Sequence, residues 1–561
     1  MNTKIKIALF TGITFIMVAC KKQLDVGNPN APTLAQNVAD LNGLIALSKG
    51  GVYFNGFRDG MGWLGDSYFN LPWTYHELMG DNLGGGEGSN NQTTTMGVPD
   101  YMILDNGTKL SNPSPQVAVI RSFNNRSATG EANNALYYEW LSMYSLNSAM
   151  NTVLSQADKL NADGKINAEQ QKTIQVWAHY WKGFAYAAIG TMYYGGIILD
   201  KAFEKSSDYV SHTAVIAASN AQFDLAVSLL PASASADYTD VLGKLIPAHC
   251  QVGKGGILSP AQWKATINTM KARNILLNHL SPFVNGNPSA TITGSSIPAM
   301  SAADWSAVKS LTDAGIGASD LVFTGRTVET NSFFSTNGGS VGAYVTGKNT
   351  TTGEKISERL IQSYMPGDAR FTTNFNSATS FTNAYSFSTR WSLNDGGNRW
   401  PNGVHAYGTR DVGAYELFIS GSYEENALMN AEAKIRTGDI NGGVALINAV
   451  RTYMGAGLPA LGNGLTLTQA LTEFTSERRV ALAFKGLAFF DLRRWGWTYD
   501  VSKGGGAYGQ VFVFSGTGGA LSVNTNVKVN YNFMDYWDVP GDETELNPAK
   551  TGGDFIKNPN Y

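Results

Sequence analysis

Charge is the scarcest ingredient of this 561-residue chain: 15% of its residues are Asp, Glu, Lys or Arg, against roughly 25% in an ordinary soluble domain. Lys and Arg number 41 and Asp and Glu 44, a formal charge of −3. No basic stripe exists to neutralise a phosphate backbone, so nucleic acid is not expected as a partner. Cysteine is limited to Cys20 and Cys250. The six histidines, His76, His179, His212, His249, His279 and His405, show no H-E-x-x-H spacing, since His76-Glu77 lacks the second histidine, and zinc hydrolysis has no support. After the N-terminus no stretch reaches the ~20 apolar residues of a membrane span. What is abundant is neutral polarity, with 62 glycines and many Asn, Ser and Thr, beside 43% hydrophobic residues. That apolar fraction is too high for a disordered chain. The length allows several domains or one continuous helical-repeat body.

The N-terminus reads as a leader. Lys4 and Lys6 precede an apolar run from Ile7 to Ala19, too short to span a bilayer and fitting a signal-peptide core. It ends Met17-Val18-Ala19-Cys20, which resembles the bacterial lipobox, where cleavage precedes a cysteine that becomes the lipidated first residue. Residues 1–19 are therefore expected to be removed and Cys20 to hold the lipid, leaving Cys250 as a small buried hydrophobe. Acyl chains contributing on the order of 0.8 kcal/mol per buried methylene would tether a body that has no spanning helix.

Helical periodicity dominates residues 20–281. Leu136, Trp140, Met143, Asn147, Met150, Leu154 and Ala157 form one i, i+3/i+4 stripe, predicting a long helix. Asn161-Ala162-Asp163-Gly164 breaks it, and Ile174, Trp177, Trp181, Phe184, Ala188 and Met192 mark a second, antiparallel partner. A third helix holds Ile216, Phe223, Ala226 and Leu230, and a fourth opens at Ser259-Pro260-Ala261-Gln262 with Ser at N-cap, Pro at N1 and Gln at N3. Residues 282–409 lose periodicity and read as a long loop-rich stretch punctuated by Trp305, Phe333, Phe334, Tyr344, Trp391, Trp400 and Tyr407. From 410 to the end, helices are predicted around Ala414–Ile435, Val444–Met454 and, after a Thr466–Gln469 capping box, from 466 towards Gly486. Beyond Trp497 the chain reads as Gly-rich and strand-like. The fold class expected is mostly α: a tetratricopeptide-like stack of helix pairs, a loop-rich lobe and short β elements.

The segment Glu477-Arg478-Arg479-Val480-Ala481-Leu482-Ala483-Phe484-Lys485-Gly486-Leu487-Ala488-Phe489-Phe490-Asp491-Leu492-Arg493-Arg494-Trp495-Gly496 resembles the ERR-x-x-LAF-x-G-x-x-x-FDL-x-RWG helix of the SusD/RagB-like outer-membrane lipoproteins of Bacteroidetes. Leu24-Asp25-Val26 after the lipid cysteine, Tyr194-Gly195-Gly196-Ile197, Asn430-Ala431-Glu432-Ala433, Ile447-Asn448-Ala449-Val450-Arg451, Trp537-Asp538-Val539-Pro540 and the terminal Asn558-Pro559-Asn560-Tyr561 resemble further family elements in the same order. The chain departs from the family at Val480-Ala481, Lys485 and Ala488, where charged residues of the usual pattern are missing. The resemblance implies a surface lipoprotein that binds an oligosaccharide, or in some members a peptide, and sits as a lid on a SusC-like TonB-dependent transporter in the outer membrane.

Sugar faces stack on aromatic rings while hydroxyls need amides and carboxylates at fixed positions. Trp305, Trp391, Trp400 and Tyr407 are the candidate platform, with polar help from Asp81 and Asn82 in the Gly80–Gly86 loop, which resembles an Asp-containing loop of the family. Enzymatic motifs fail one at a time. Gly338-Gly339-Ser340-Val341-Gly342 matches G-x-S-x-G but lacks the strand before and helix after that a nucleophile elbow requires. The Asp163-Gly164 turn mimics a calcium loop, but with Gly164 at position 6 its first and last ligands would be Lys159 and Gln170. A glycan hydrolase would need two carboxyls flanking the sugar, and the sequence gives no positive sign of them. No cofactor or metal is expected, and the low charge fits a neutral, hydroxyl-rich ligand.

Overall fold

The computed structural model describes residues 34–53, 56–57, 61–62, 72–86, 94–125, 134–287, 290–325, 354–381, 385, 387–394 and 417–561. Cys20, Gly338–Gly342, Trp400 and Tyr407 lie outside them. The N-terminal part supplies helices α1 (Leu41–Tyr53) and α2 (Pro72–Met79) and strands β1 (Leu83–Gly86), β2 (Tyr101–Ile103) and β3 (Lys109–Ser111).

The helix-pair body follows as expected. The first stripe becomes α3 (Tyr137–Ala162), which buries Trp140, Met143, Leu146, Met150, Val153, Ala157 and Leu160. Gly164 turns the chain at φ +66°, a conformation glycine adopts without a Cβ clash. Asn167 then caps α4 (Ala168–Met192) in a reciprocal box with Gln170, satisfying orphan N–H groups at the helix start. Helix α5 (His212–Leu229) packs against α4. A Cβ on Gly183 would lie 2.6 Å from the Phe223 ring, so glycine is what lets these two helices approach. Helix α6 (Ala236–Leu245) has no counterpart in the sequence reading. Helix α7 (Pro260–Leu277) starts as foreseen, with Ser259 and Gln262 forming the box and Pro260 in the first turn.

The interior of this body is aromatic. Trp177 meets Trp181 at 5.6 Å and Trp263 at 6.3 Å between ring centroids, while Phe323 lies 5.4 Å from Trp263 and 5.5 Å from Trp181. Most of these contacts are edge-to-face, a geometry that adds about 0.5–1.5 kcal/mol per pair beyond area burial. Cys250 is fully buried, as expected.

The stretch expected to be loop-rich contains more regular structure than its composition suggests. Helix α8 (Ala302–Asp313) begins with a Ser301–Asp304 capping box. Strands β4 (Glu354–Ile356), β5 (Phe375–Phe381) and β6 (Phe387–Leu393) follow.

The C-terminal body holds α9 (Tyr423–Arg436), α10 (Ile440–Tyr453), α11 (Leu467–Ala481) and α12 (Ala488–Arg494). The motif-bearing segment is thus two helices, not one. The chain turns between them with Phe484 at φ +61° and Gly486 at φ +70°. A Cβ on Gly486 would lie 2.8 Å from the Trp73 ring, and the Glu77 carboxylate accepts the Phe484 and Gly486 N–H groups at 3.1 and 2.9 Å. Burial pushes the Glu77 carboxyl pKa up, although Asn82 and those two N–H groups oppose the shift. The missing family charges at Val480, Ala481 and Ala488 correspond to buried apolar side chains, and Lys485 pairs with Glu424.

Nor is the tail strand-like throughout. Strands β7 (Ala507–Ser515) and β8 (Leu521–Asn530) form a hairpin, after which α13 (Gly541–Leu546) intervenes. An antiparallel sheet in the order β5-β6-β7-β8-β2-β3 joins the N-terminal portion, the lobe and the tail.

Candidate ligand-binding lobe and its anchors

Asp81 follows α2 in left-handed backbone, φ +57°, a conformation that Asp tolerates better than most residues. Its carboxylate accepts from Arg359 Nη2 at 2.8 Å and Nε at 3.1 Å, from Ser357 Oγ at 3.2 Å and from the Tyr531 hydroxyl. Burial alone would lower the Arg359 pKa, and the facing Asp81 carboxylate outweighs it and raises it. Burial, reinforced by Asp81, pushes the Tyr531 phenol well above its ordinary range. The Arg359 guanidinium also lies 3.9 Å over the Phe512 ring. Asn82 donates to Glu77 Oε2 at 2.7 Å, accepts from Arg479 Nη2 at 3.3 Å, and its carbonyl accepts the Ser357 N–H at 3.0 Å. Both residues are buried. Their position is that of an anchor: the Gly-rich strand β1 pairs with β4, and Asp81 ties that junction to Arg359.

Two further anchors fix the same segment. Glu358 accepts the Arg390 backbone N–H at 2.6 Å and its guanidinium at 2.8 and 3.2 Å. Arg370, fully buried, reaches Asp368 at 2.7 Å and Glu477 of α11 at 2.6 Å. Buried pairs of this kind add little net stability, and removing one partner is what is costly. They tie described parts of this segment to one another and, through Glu477, to α11.

What they hold is an aromatic patch. Trp391, on β6, is half-buried, with its ring edge-on to Phe371 at 4.7 Å and its indole Nε1 without a partner among the described residues. Tyr364 lies 5.7 Å from Phe371 and 5.4 Å from Phe375, and Tyr364 and Phe371 are also half-buried. Arg390, which precedes Trp391 on β6, has a side chain 43% exposed and paired with Glu358. Partly exposed rings offer an apolar face on which a polyhydroxylated ligand can stack.

Of the residues the sequence nominates, the structure thus links Asp81, Asn82 and Trp391 through residues 354–393. Trp305 is elsewhere. It is 5% exposed, packed against Ala272 and Leu276 of α7 and Met429 and Ala433 of α9, so the sequence reading of it as a stacking platform is corrected to a core position. A tryptophan at the helical spacing Trp305-Val308-Thr312 faces inward for the same reason as its neighbours. Tyr364, Phe371, Arg390, Arg359 and Glu358 escaped the sequence reading. Only the Ser-Glu-Arg run at 357–359 gives a local sign, a Ser N-cap before an acidic first turn.

Residues 423–561 match the SusD family. Solved structures similar to this chain include a SusD-like carbohydrate binding protein from Bacteroides vulgatus, 13% identical, covering 94% of this chain and 99% of that one with a TM-score of 0.53. Surface glycan-binding protein A from Bacteroides uniformis is 15% identical, covering 92% and 99% with a TM-score of 0.51. A SusD superfamily protein from Bacteroides vulgatus is 13% identical, covering 93% and 98% with a TM-score of 0.50. At these identities the likeness establishes the fold. No curated protein matches the sequence.

Proposed function

We propose that this SusD-like chain is a cell-surface lipoprotein that captures an oligosaccharide without transforming it and passes it to a SusC-like TonB-dependent barrel in the outer membrane. The observation that carries this reading is the half-buried patch of Trp391, Phe371 and Tyr364, mounted on a segment tied down by ion-paired anchors. Preorganised rings bind a sugar face with little ordering cost. In this reading Trp391, Trp400 and Tyr407 stack on the ligand, and Asp81 and Asn82 position the lobe. Cys20 is the lipid-bearing residue. Consistent with an anchor of that kind, no helix among the described residues is long and apolar enough to cross a membrane.

Glycan arrays and affinity gels with the purified mature chain test the proposal. Retarded migration or array binding, with the glycan recovered intact, is the expected result. Release of new reducing ends, abolished by a single carboxylate substitution, would instead establish a hydrolase, and binding confined to peptides would move the ligand to that class.

A further inference from the structure

Two cavities outside the lobe differ in what they can hold. A cleft between Trp73, His76 and Lys485 encloses about 70 Å³, space for a few water molecules. A second, between α3, residues 197–206 and α13, encloses about 330 Å³, within the range of about 300–1,000 Å³ typical of small-molecule sites. No residue of the lobe lines it.

Its walls are tied together. Tyr144 donates to the Ile197 carbonyl at 2.9 Å and accepts the Ile197 N–H at 2.6 Å. The Asn547 amide bridges the Ser206 carbonyl and Glu543 Oε1, both at 2.8 Å. Trp140, whose indole donates to Glu543 Oε2 at 3.2 Å, closes the floor. Ile197, Leu199 and Leu546 make the apolar surface.

The polar groups carry both signs. Glu204 uses Oε2 for the Asp200 and Lys201 N–H groups at 2.7 and 3.0 Å, which leaves its other oxygen to accept. Lys205, exposed at the same wall, has no ion-pair partner among the described residues. A ligand of one charge would meet a like charge here, whereas hydroxyls can accept from the ammonium and donate to the carboxylates. The two most exposed large apolar side chains among the described residues, Phe203 at 78% and Leu546 at 64%, belong to the two segments that form this pocket. Phe203 is held in left-handed backbone, φ +61°, a region sparsely populated by bulky residues and associated with functional sites.

We propose that this pocket is a second carbohydrate site, separate from the lobe and sized for one sugar ring or a disaccharide. It takes the ring's apolar face on Leu199 and Leu546 and its hydroxyls on Glu204 and Lys205. The choice of sugar among neutral polar ligands rests on the glycan-capture reading. Saturation-transfer NMR on the full mature chain, with glucose, galactose, xylose and mannose as probes, tests it alongside the Phe203→Ala, Lys205→Ala, Leu546→Ser and Trp391→Ala variants. Phe203, Lys205 and Leu546 are solvent-exposed, so a retained thermal transition is expected in their variants. The expected result is transfer to the ring protons of at least one sugar, weakened about tenfold in affinity by Lys205→Ala or Leu546→Ser and unchanged by Trp391→Ala. No monosaccharide binding, or binding unchanged in both Lys205→Ala and Leu546→Ser, would overturn the second site. Binding lost only in Trp391→Ala would also overturn it, while leaving glycan capture by the lobe intact. Monosaccharide binding lost in the pocket variants, in a chain whose oligosaccharide binding ignores Trp391→Ala, would support the second site and remove the lobe.

Discussion

The helix pairs of residues 137–277 and the C-terminal helices of residues 423–494 are both mainly helical with apolar cores, yet charged side chains enter their interiors very differently. The first body meets in a cluster of rings, Trp177, Tyr180, Trp181, Trp263 and Phe323. The second meets in arginines and carboxylates. Arg478 and Arg494 both reach Asp491 at 2.8 Å, Arg494 reaches Glu432 at 2.7 Å, and Arg451 bridges Glu473 and Glu477 at 2.8 and 3.0 Å. Arg493 pairs with no carboxylate among the described residues and donates instead to the carbonyls of Thr191, Asp535 and Leu277. In a chain with so few charges, many are interior, and they lie where the lobe and tail must dock in one orientation. Rings gain from any dense contact, whereas an arginine fork requires its partners at fixed positions.

The sharpest way to break this contrast is one substitution on each side. Arg494→Met takes from Asp491 and Glu432 one of their two cationic partners among the described residues, and Trp181→Ala leaves a large cavity. Each should cost about 3–5 kcal/mol in chemical denaturation. The second substitution then separates the two mechanisms. Adding Glu432→Gln to Arg494→Met should recover part of the loss, because a charge left short of its partner is removed with it. Adding Trp263→Ala to Trp177→Ala should recover nothing. Recovery in both pairs, or in neither, would erase the distinction.

At the seam between the bodies, pH provides a smaller lever. His212 stacks on Tyr536 at 4.0 Å, and burial, aided by nearby Arg493, lowers its pKa from 6.5 to about 4. Because the folded state resists the proton that the unfolded state accepts, stability is full above pH 6.5 and falls as pH drops towards 4. The loss is about 3 kcal/mol. His212→Gln should flatten that dependence in a pH series of urea melts. Smaller again is Gly486→Ala, which places a Cβ against Trp73 in left-handed backbone and should cost about 1–3 kcal/mol, seen as a lowered melting temperature.

The two regions were unequally legible in the sequence. Stripes such as Trp140-Met143 and capping boxes at Ser259 and Thr466 are local, and they gave helices α3, α4, α7 and α11 their places. The box at Ser301–Asp304 is equally local but sits among Asn, Ser and Thr, whose background hides its short stripe. The ion-pair anchors could not be read, because Asp81 meets Arg359 and Arg370 meets Glu477 across long stretches of chain. The break in the family-like helix depends on Glu77, far upstream, accepting the Phe484 and Gly486 N–H groups. Aromatic content misled in part. It suggested a surface platform, yet Trp140, Trp177, Trp181, Trp263, Trp305, Trp495 and Trp537 are buried, and among the nominated residues Trp391 alone is described as half-buried.

That leaves Trp391 as the position on which the glycan-binding account turns. Affinity electrophoresis against the polysaccharide that retards the wild-type chain most, repeated with Trp391→Ala at an unchanged melting temperature, measures it directly. Loss of about tenfold in affinity, near 1.4 kcal/mol, is the expected result. Undiminished retardation in a folded variant would contradict the assignment of the lobe as the ligand site.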